Sequence, residues 1–147
     1  MAAASSVWNI IRGEMIMRTG ILVLAMAIFS GSAWSAEWIL IKDDAKSGEK
    51  TYIDKNTLGR AETLAIMWSL VNHQKPKGVA RRAHLSEKSL IQYDCKNHQS
   101  RRLEFHWYTG HDAEGELIYS QKEPESMLPP TPDSAREVAW KIACETK

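Results

Sequence analysis

The sequence predicts an α+β domain: a curved antiparallel β-sheet of about six strands, with a C-terminal helix packed on one face and tied to it by a disulfide. Three observations carry that reading. Apolar residues alternate with period two in short runs between residues 37 and 123, each bounded by turn formers. Beyond the proline-rich stretch "PESMLPPTPD" (124–133) the period becomes helical. Two cysteines occur, Cys95 at the end of an alternating run and Cys144 in the helical segment.

The elements follow in order. "EWILIKDD" (37–44) is a first strand. "KTYIDKNTLGR" (50–60) begins extended and then turns at Asp54, Asn56 and Gly59. In "ETLAIMWSLVNH" (62–73), Leu64, Ile66, Trp68 and Leu70 point one way, and Thr63, Ala65, Met67 and Ser69 the other. The second face is not very polar, so this strand is expected at the centre, covered on both sides. "NHQKPKG" (72–78) reads as a polar turn, and "VARRAHLSEKS" (79–89) as a weakly amphipathic edge strand. "SLIQYDC" (89–95) puts Ile91, Tyr93 and Cys95 on one face. "RRLEFHWYTG" (101–110) puts Leu103, Phe105 and Trp107 on one face and Arg102, Glu104, His106 and Tyr108 on the other. "ELIYSQKE" (116–123) is a last strand, giving six or seven in all.

The helix is expected over about 132–145. Thr131 can cap it with Pro132 in the first turn, or Ser134 with Glu137 can form a capping box. Ala135, Val138, Ala139 and Ile142 make an apolar stripe that must be hidden, and a sheet face is the large apolar surface on offer. Trp140, one turn from Cys144, is placed to pack on the bridge.

The start of the chain sets the chemistry of the cysteines. "MRTGILVLAMAIFSGSAWS" (17–35) has a positive start at Arg18, an apolar run from Ile21 to Phe29 and a small-residue end, the layout of a secretory signal peptide. Ala33 and Ser35 place the cut after Ser35. Residues 1–14 or 1–16 then read as an over-extended start, and residues 36–147 as a single domain. The nine-residue apolar run is well short of the roughly 20 that a stable membrane span needs. No cysteine stands at the cut to accept a lipid, so the product is expected in the periplasm or secreted. In an oxidising compartment two thiols pair as Cys95–Cys144. A zinc site would want further Cys or His at short spacings, and a nucleophilic thiol would have to stay reduced.

The stretches "YIDKNTLGR" (52–60), "MWSLVNH" (67–73), "SEKSLIQYDC" (86–95) and "RRLEFHWYTG" (101–110), with the late helical Cys144, resemble the surface-adhesin protein E family of Gram-negative bacteria over about residues 37–144. The resemblance implies an antiparallel sheet whose C-terminal helix is fixed to the concave face by the Cys95–Cys144 bridge. It also implies adhesion to host extracellular-matrix proteins, and a fold able to form a homodimer.

Composition narrows the function further. Past residue 35 the chain carries 17 Lys plus Arg and 17 Asp plus Glu, so no net field steers it to nucleic acid or to an anionic membrane. No GxSxG or glycine-rich motif occurs, and no cofactor or metal is expected. The histidines His73, His84, His98, His106 and His111 lack metal-ligand spacing. Trp68 and Trp107 lie on apolar strand faces and are expected in the core. The candidate ligand-binding residues are Lys75, Lys77, Arg81 and Arg82, clustered in "HQKPKGVARR", with Arg101 and Arg102 as a second pair. The same cations also fit a soluble turn beside a charge-guarded edge strand. The row Arg102, Glu104, His106 and Tyr108 has acid and base types that could bind an anion or transfer a proton, but the reading preferred is the solvated face of an antiparallel strand. The expected function is therefore an exported, non-enzymatic binding module that takes a protein partner. The alternative is a periplasmic envelope accessory protein that interacts with a bacterial partner.

Overall fold

The computed structural model describes residues 36–145; the leader expected over residues 1–35 lies outside them. Turn residues divide the described chain into six strands: β1 (Trp38–Asp44), β2 (Glu49–Ala61), β3 (Leu64–Lys77), β4 (His84–Asp94), β5 (Gln99–Tyr108) and β6 (Leu117–Gln121). They form one sheet in sequence order, every neighbouring pair antiparallel, as short hairpin connections require. One helix, α1 (Ala135–Glu145), packs on the sheet. Among the described residues no helix is long and apolar enough to cross a membrane.

Two hairpins are closed by an aspartate at the last strand position. Asp44 accepts the N–H of Lys46 at 2.9 Å, and Asp94 accepts those of Lys96 and Asn97 at 3.0 Å. Elsewhere local sequence and tertiary pairing disagree. Residues 50–60 do not end in a turn, because β2 continues to Ala61 across a register shift between Asp54 and Gly59. The turn formers build this bulge instead. Asp54 accepts the Asn56 N–H at 3.0 Å, and Thr57 Oγ1 donates to the Asp54 carbonyl at 2.6 Å while accepting the Trp68 N–H at 3.0 Å.

The expected turn at 72–78 belongs mostly to β3, which runs through Pro76 and pairs again at Lys77 with His84. The reversal occurs one step later, at a 3₁₀ turn over Ala80–Arg82. Gly78 is required there: its φ is +96°, and a Cβ would stand 2.6 Å from the Arg82 carbonyl. The expected strands at 79–89 and 89–95 are one strand, β4, and it is interior rather than an edge. The proline-rich segment also pairs. Ser100 and Leu128 exchange both backbone hydrogen bonds at 2.9 and 3.1 Å, and Glu125 N–H donates to the Arg102 carbonyl at 2.9 Å. This segment covers the part of β5 that β6 does not reach.

The core lies between α1 and the sheet. Ile53, Ala65, Met67, Ile91 and Tyr93 meet Ala139 and Ala143, whose small side chains let the helix approach closely. Ile41, Leu58, Trp140 and Ile142 pack around them. Cys95 and Cys144 are joined, with their Cα atoms 5.4 Å apart. Arg60 Nε donates to the Ala143 carbonyl at 2.8 Å, in the last turn of the helix, where no following turn supplies donors. The helix begins at Ala135, later than expected, with Thr131 and Pro132 ahead of it. Ser134 Oγ accepts the Glu137 N–H at 3.2 Å, and Glu137 reaches back to the Asp133 N–H at 2.7 Å, a capping box displaced by one residue.

Trp68 and Trp107, expected in the core, are only half-buried and stand outside it. Trp68 is on the face opposite the helix, beside His106 at 5.9 Å. Trp107 donates its indole N–H to Glu87 at 2.7 Å and stacks on His84 at 4.4 Å. Each indole is wide enough to touch polar side chains along one edge while shielding the sheet with its ring.

Candidate functional site

The cations singled out in sequence fall into three places. Lys75 and Lys77 end β3, and Arg81 and Arg82 belong to the 3₁₀ turn that follows; all four are exposed. Together they crown one corner of the sheet. Val79, between the two pairs, is 80% exposed, so an apolar tip sits among the four charges. Two of the cations are partly committed. Lys77 Nζ is 2.9 Å from Glu49 Oε1, and the Arg82 guanidinium lies 4.9 Å from the centre of the Tyr119 ring. Lys75 and Arg81 make no such contact among the described residues.

Arg101 and Arg102 do not join this corner, and they do not join each other. Arg101 pairs with Gln92 on the face opposite the helix, its Nε donating to the Gln92 amide oxygen at 2.7 Å. Arg102 pairs with Ile91 and turns to the helix-bearing face. There it donates to Glu87 at 2.6 Å and through two nitrogens to Glu125 at 2.5 and 3.0 Å. An arginine held between two carboxylates is a cross-brace from β4 through β5 to the proline-rich segment.

The row of Arg102, Glu104, His106 and Tyr108 is also divided. A register shift between Leu90 and Ile91 leaves Leu103 as the extra residue of a bulge. Arg102 therefore faces the helix, whereas Glu104 and His106 face away, with His106 3.7 Å from Glu104 and 3.0 Å from Ser120 Oγ. The bulge takes Arg102 out of the row and leaves Glu104 and His106 together on the open face.

On the helix-bearing face, beyond the helix, sequence reasoning missed a second cluster. His84 stacks on Trp107 and meets His73 edge-on at 5.3 Å; Tyr119 lies 4.7 Å from Trp107. His73 is 6% exposed. Its Nδ1 is 3.2 Å from Glu49, yet the geometry is not that of a hydrogen bond and neither ring nitrogen has a partner. Burial is the main cause that holds its pKa below the usual histidine value, with the Lys77 charge adding to it. No spacing in the sequence could show this, because the residues come from β3, β4, β5 and β6. Among the described residues no three His, Cys, Asp or Glu side chains are grouped as a metal site.

The comparisons with known proteins agree on one relationship. The sequence profile of surface-adhesin protein E matches residues 38–145. No curated protein matches the chain. Among solved structures, the selenomethionine form of Haemophilus influenzae protein E superposes with a TM-score of 0.57 at 20% identity, over 72% of this chain and 85% of that one. A second crystal form of the same protein gives 0.54 at 18%, over 75% and 97%. Protein E from non-typeable Haemophilus influenzae gives 0.52 at 18%, over 76% and 86%. At such identities the superpositions speak for the fold: a six-stranded antiparallel sheet with a C-terminal helix. The match over 38–145 covers nearly every described residue, from the first strand to the end of the helix, and on it the chain belongs to the surface-adhesin protein E family.

Proposed function

We propose that this adhesin-type module is exported and binds an acidic segment of a host extracellular-matrix protein through the corner formed by Lys75, Lys77, Val79 and Arg81. The observation that carries the reading is that corner: exposed cations flanking a nearly naked valine, on a chain of the protein E family. An apolar tip inside a cationic ring suits a partner segment with carboxylates around a small apolar residue. The corner stands on a glycine-specified 3₁₀ turn between two long interior strands, so it is presented on a rigid support. Export is supported by the disulfide, which persists where thiols are oxidised. Arg101 and Arg102 have no part in it, since each is committed on a different face.

The test is a triple charge reversal, Lys75→Glu with Lys77→Glu and Arg81→Glu, assayed on immobilised matrix proteins by interferometry. Binding by the unaltered chain should weaken with added salt, and the triple variant should lose on the order of tenfold or more in affinity, mostly through slower association. Absence of binding by the unaltered chain, or equal binding by the variant, would overturn the proposal.

A further inference from the structure

A cleft of about 290 Å³ opens between the first turns of α1 and the helix-bearing face of the sheet. Its apolar side is formed by Val71, Ile91 and Ala139. Four charged residues also line it, and three of them are already committed. Arg102 is held by Glu87 and Glu125. Glu87 accepts from Arg102, from the Trp107 indole and from Ser89 Oγ at 3.1 Å, so it has little left to offer. Glu49 pairs with Lys77. The fourth is Arg136, on the first turn of the helix. Among the described residues it makes no hydrogen bond or ion pair. Its side chain is half-buried, and its charge acts on the Tyr93 phenol, a fully buried group at the same cleft, opposing the burial that pushes that phenol's pKa up.

A half-buried guanidinium with unused donors costs solvation that no protein group here returns. Its planar fork matches a carboxylate, and the adjoining wall is aliphatic. We infer that the cleft is a binding site for a carboxylate carried on a short apolar body, with Arg136 as the anion anchor and Val71, Ile91 and Ala139 as the apolar contact. That chemistry belongs equally to a free aliphatic acid and to the C-terminal residue of a peptide. The volume lies at the low end for ligand sites, so the body extends over roughly ten non-hydrogen atoms and the affinity of such a fragment falls in the millimolar range.

Backbone ¹H–¹⁵N NMR titration tests the assignment, with N-acetyl-leucine, N-acetyl-leucinamide and an acetylated pentapeptide ending in leucine as the probes. N-acetyl-leucine should give saturable shifts at Val71, Ile91 and Ala139, and the uncharged amide should not. Arg136→Gln should abolish the shifts with its melting temperature unchanged, and Arg136→Lys should keep a weakened response. Tighter binding of the pentapeptide identifies a peptide terminus; a response to the free acid alone identifies a small acid. A double corner variant, Lys75→Glu with Arg81→Glu, leaves the Lys77–Glu49 pair intact and should bind N-acetyl-leucine normally, which separates this site from the adhesive corner. No saturable shift with either acid, equal shifts with acid and amide, or an unchanged response in Arg136→Gln would overturn the site.

Discussion

The two faces of the sheet divide the apolar residues in an unexpected way. In β3 the larger set, Leu64, Ile66, Trp68 and Leu70, lies opposite the helix, where Leu70 is fully buried but Leu64 and Ile66 are 36% and 38% exposed. The smaller set, Ala65 and Met67, lies under the helix and is fully buried. Cys95 decides between them. It follows Ile91 and Tyr93 in alternation, so the bridge to Cys144 can form from that face alone. The open face is shielded by its own side chains instead. The Lys88 ammonium rests 4.8 Å from the centre of the Trp68 ring and 5.9 Å from that of the Trp38 ring. Hydrophobic weight alone would have put the helix on the wrong side; a covalent tie and small residues set its place.

Removing the tie should therefore have the largest effect. Cys144→Ala opens a link across 49 residues, which the chain-entropy picture values at on the order of 4 kcal/mol. The helix, left with its caps and a thin alanine contact, should detach. Urea unfolding with and without reductant measures this; an oxidised chain no more stable than the reduced one would refute the tie. Next in size is the contrast between neighbouring residues on the two faces. Met67→Ala should cost about 2–5 kcal/mol, since it empties a site under the helix, whereas Ile66→Ala should cost about 1 kcal/mol or less. If both cost the same in urea, something covers the open face in solution.

The comparison also explains what the sequence could tell. Alternation located β1, β5 and β6 nearly to their ends, and the helical stripe with its late cysteine located α1 and the bridge. These are signals from within one element. The errors came where pairing overrode local chemistry. Asp54, Asn56 and Gly59 are turn formers that became a bulge, because β3 supplies partners on both sides of it. Pro76 looked like a stop, but it sits near the end of β3, between the paired positions Asn72 and Lys77, where the ladder asks no N–H of it. Leu103 turned a single row of polar side chains into two. The basic corner was legible because its four cations are close in sequence. The Arg102 brace, the His73 cluster and the Arg136 cleft each gather residues from several elements, and no spacing announces them.

The smallest expected effect belongs to the far end of the helix-bearing face, where aromatic and imidazole rings take over from the helix. His73 is buried there against His84, with Glu49, Glu87 and Lys77 around it. Burial, and then the Lys77 charge, keep its imidazole neutral below the ordinary value of 6.5, while Glu49 pulls the other way. The unfolded chain thus binds a proton at this residue before the folded chain does, and stability rises with pH across the window. This contribution is complete above 6.5 and is lost as pH falls through the lower, folded value. Glu49, held below 4.5 chiefly by its hydrogen bond from Lys77, adds a separate loss at more acidic pH. The melting temperature should drop by a few °C, on the order of 2–4 °C, between about pH 7 and pH 5. His73→Phe keeps a ring against His84 and removes the titrating group, so it should flatten that slope and leave the more acidic loss in place. An equal slope in the variant would mean that the rings at this end, unlike the alanines under the helix, are not sealed from water.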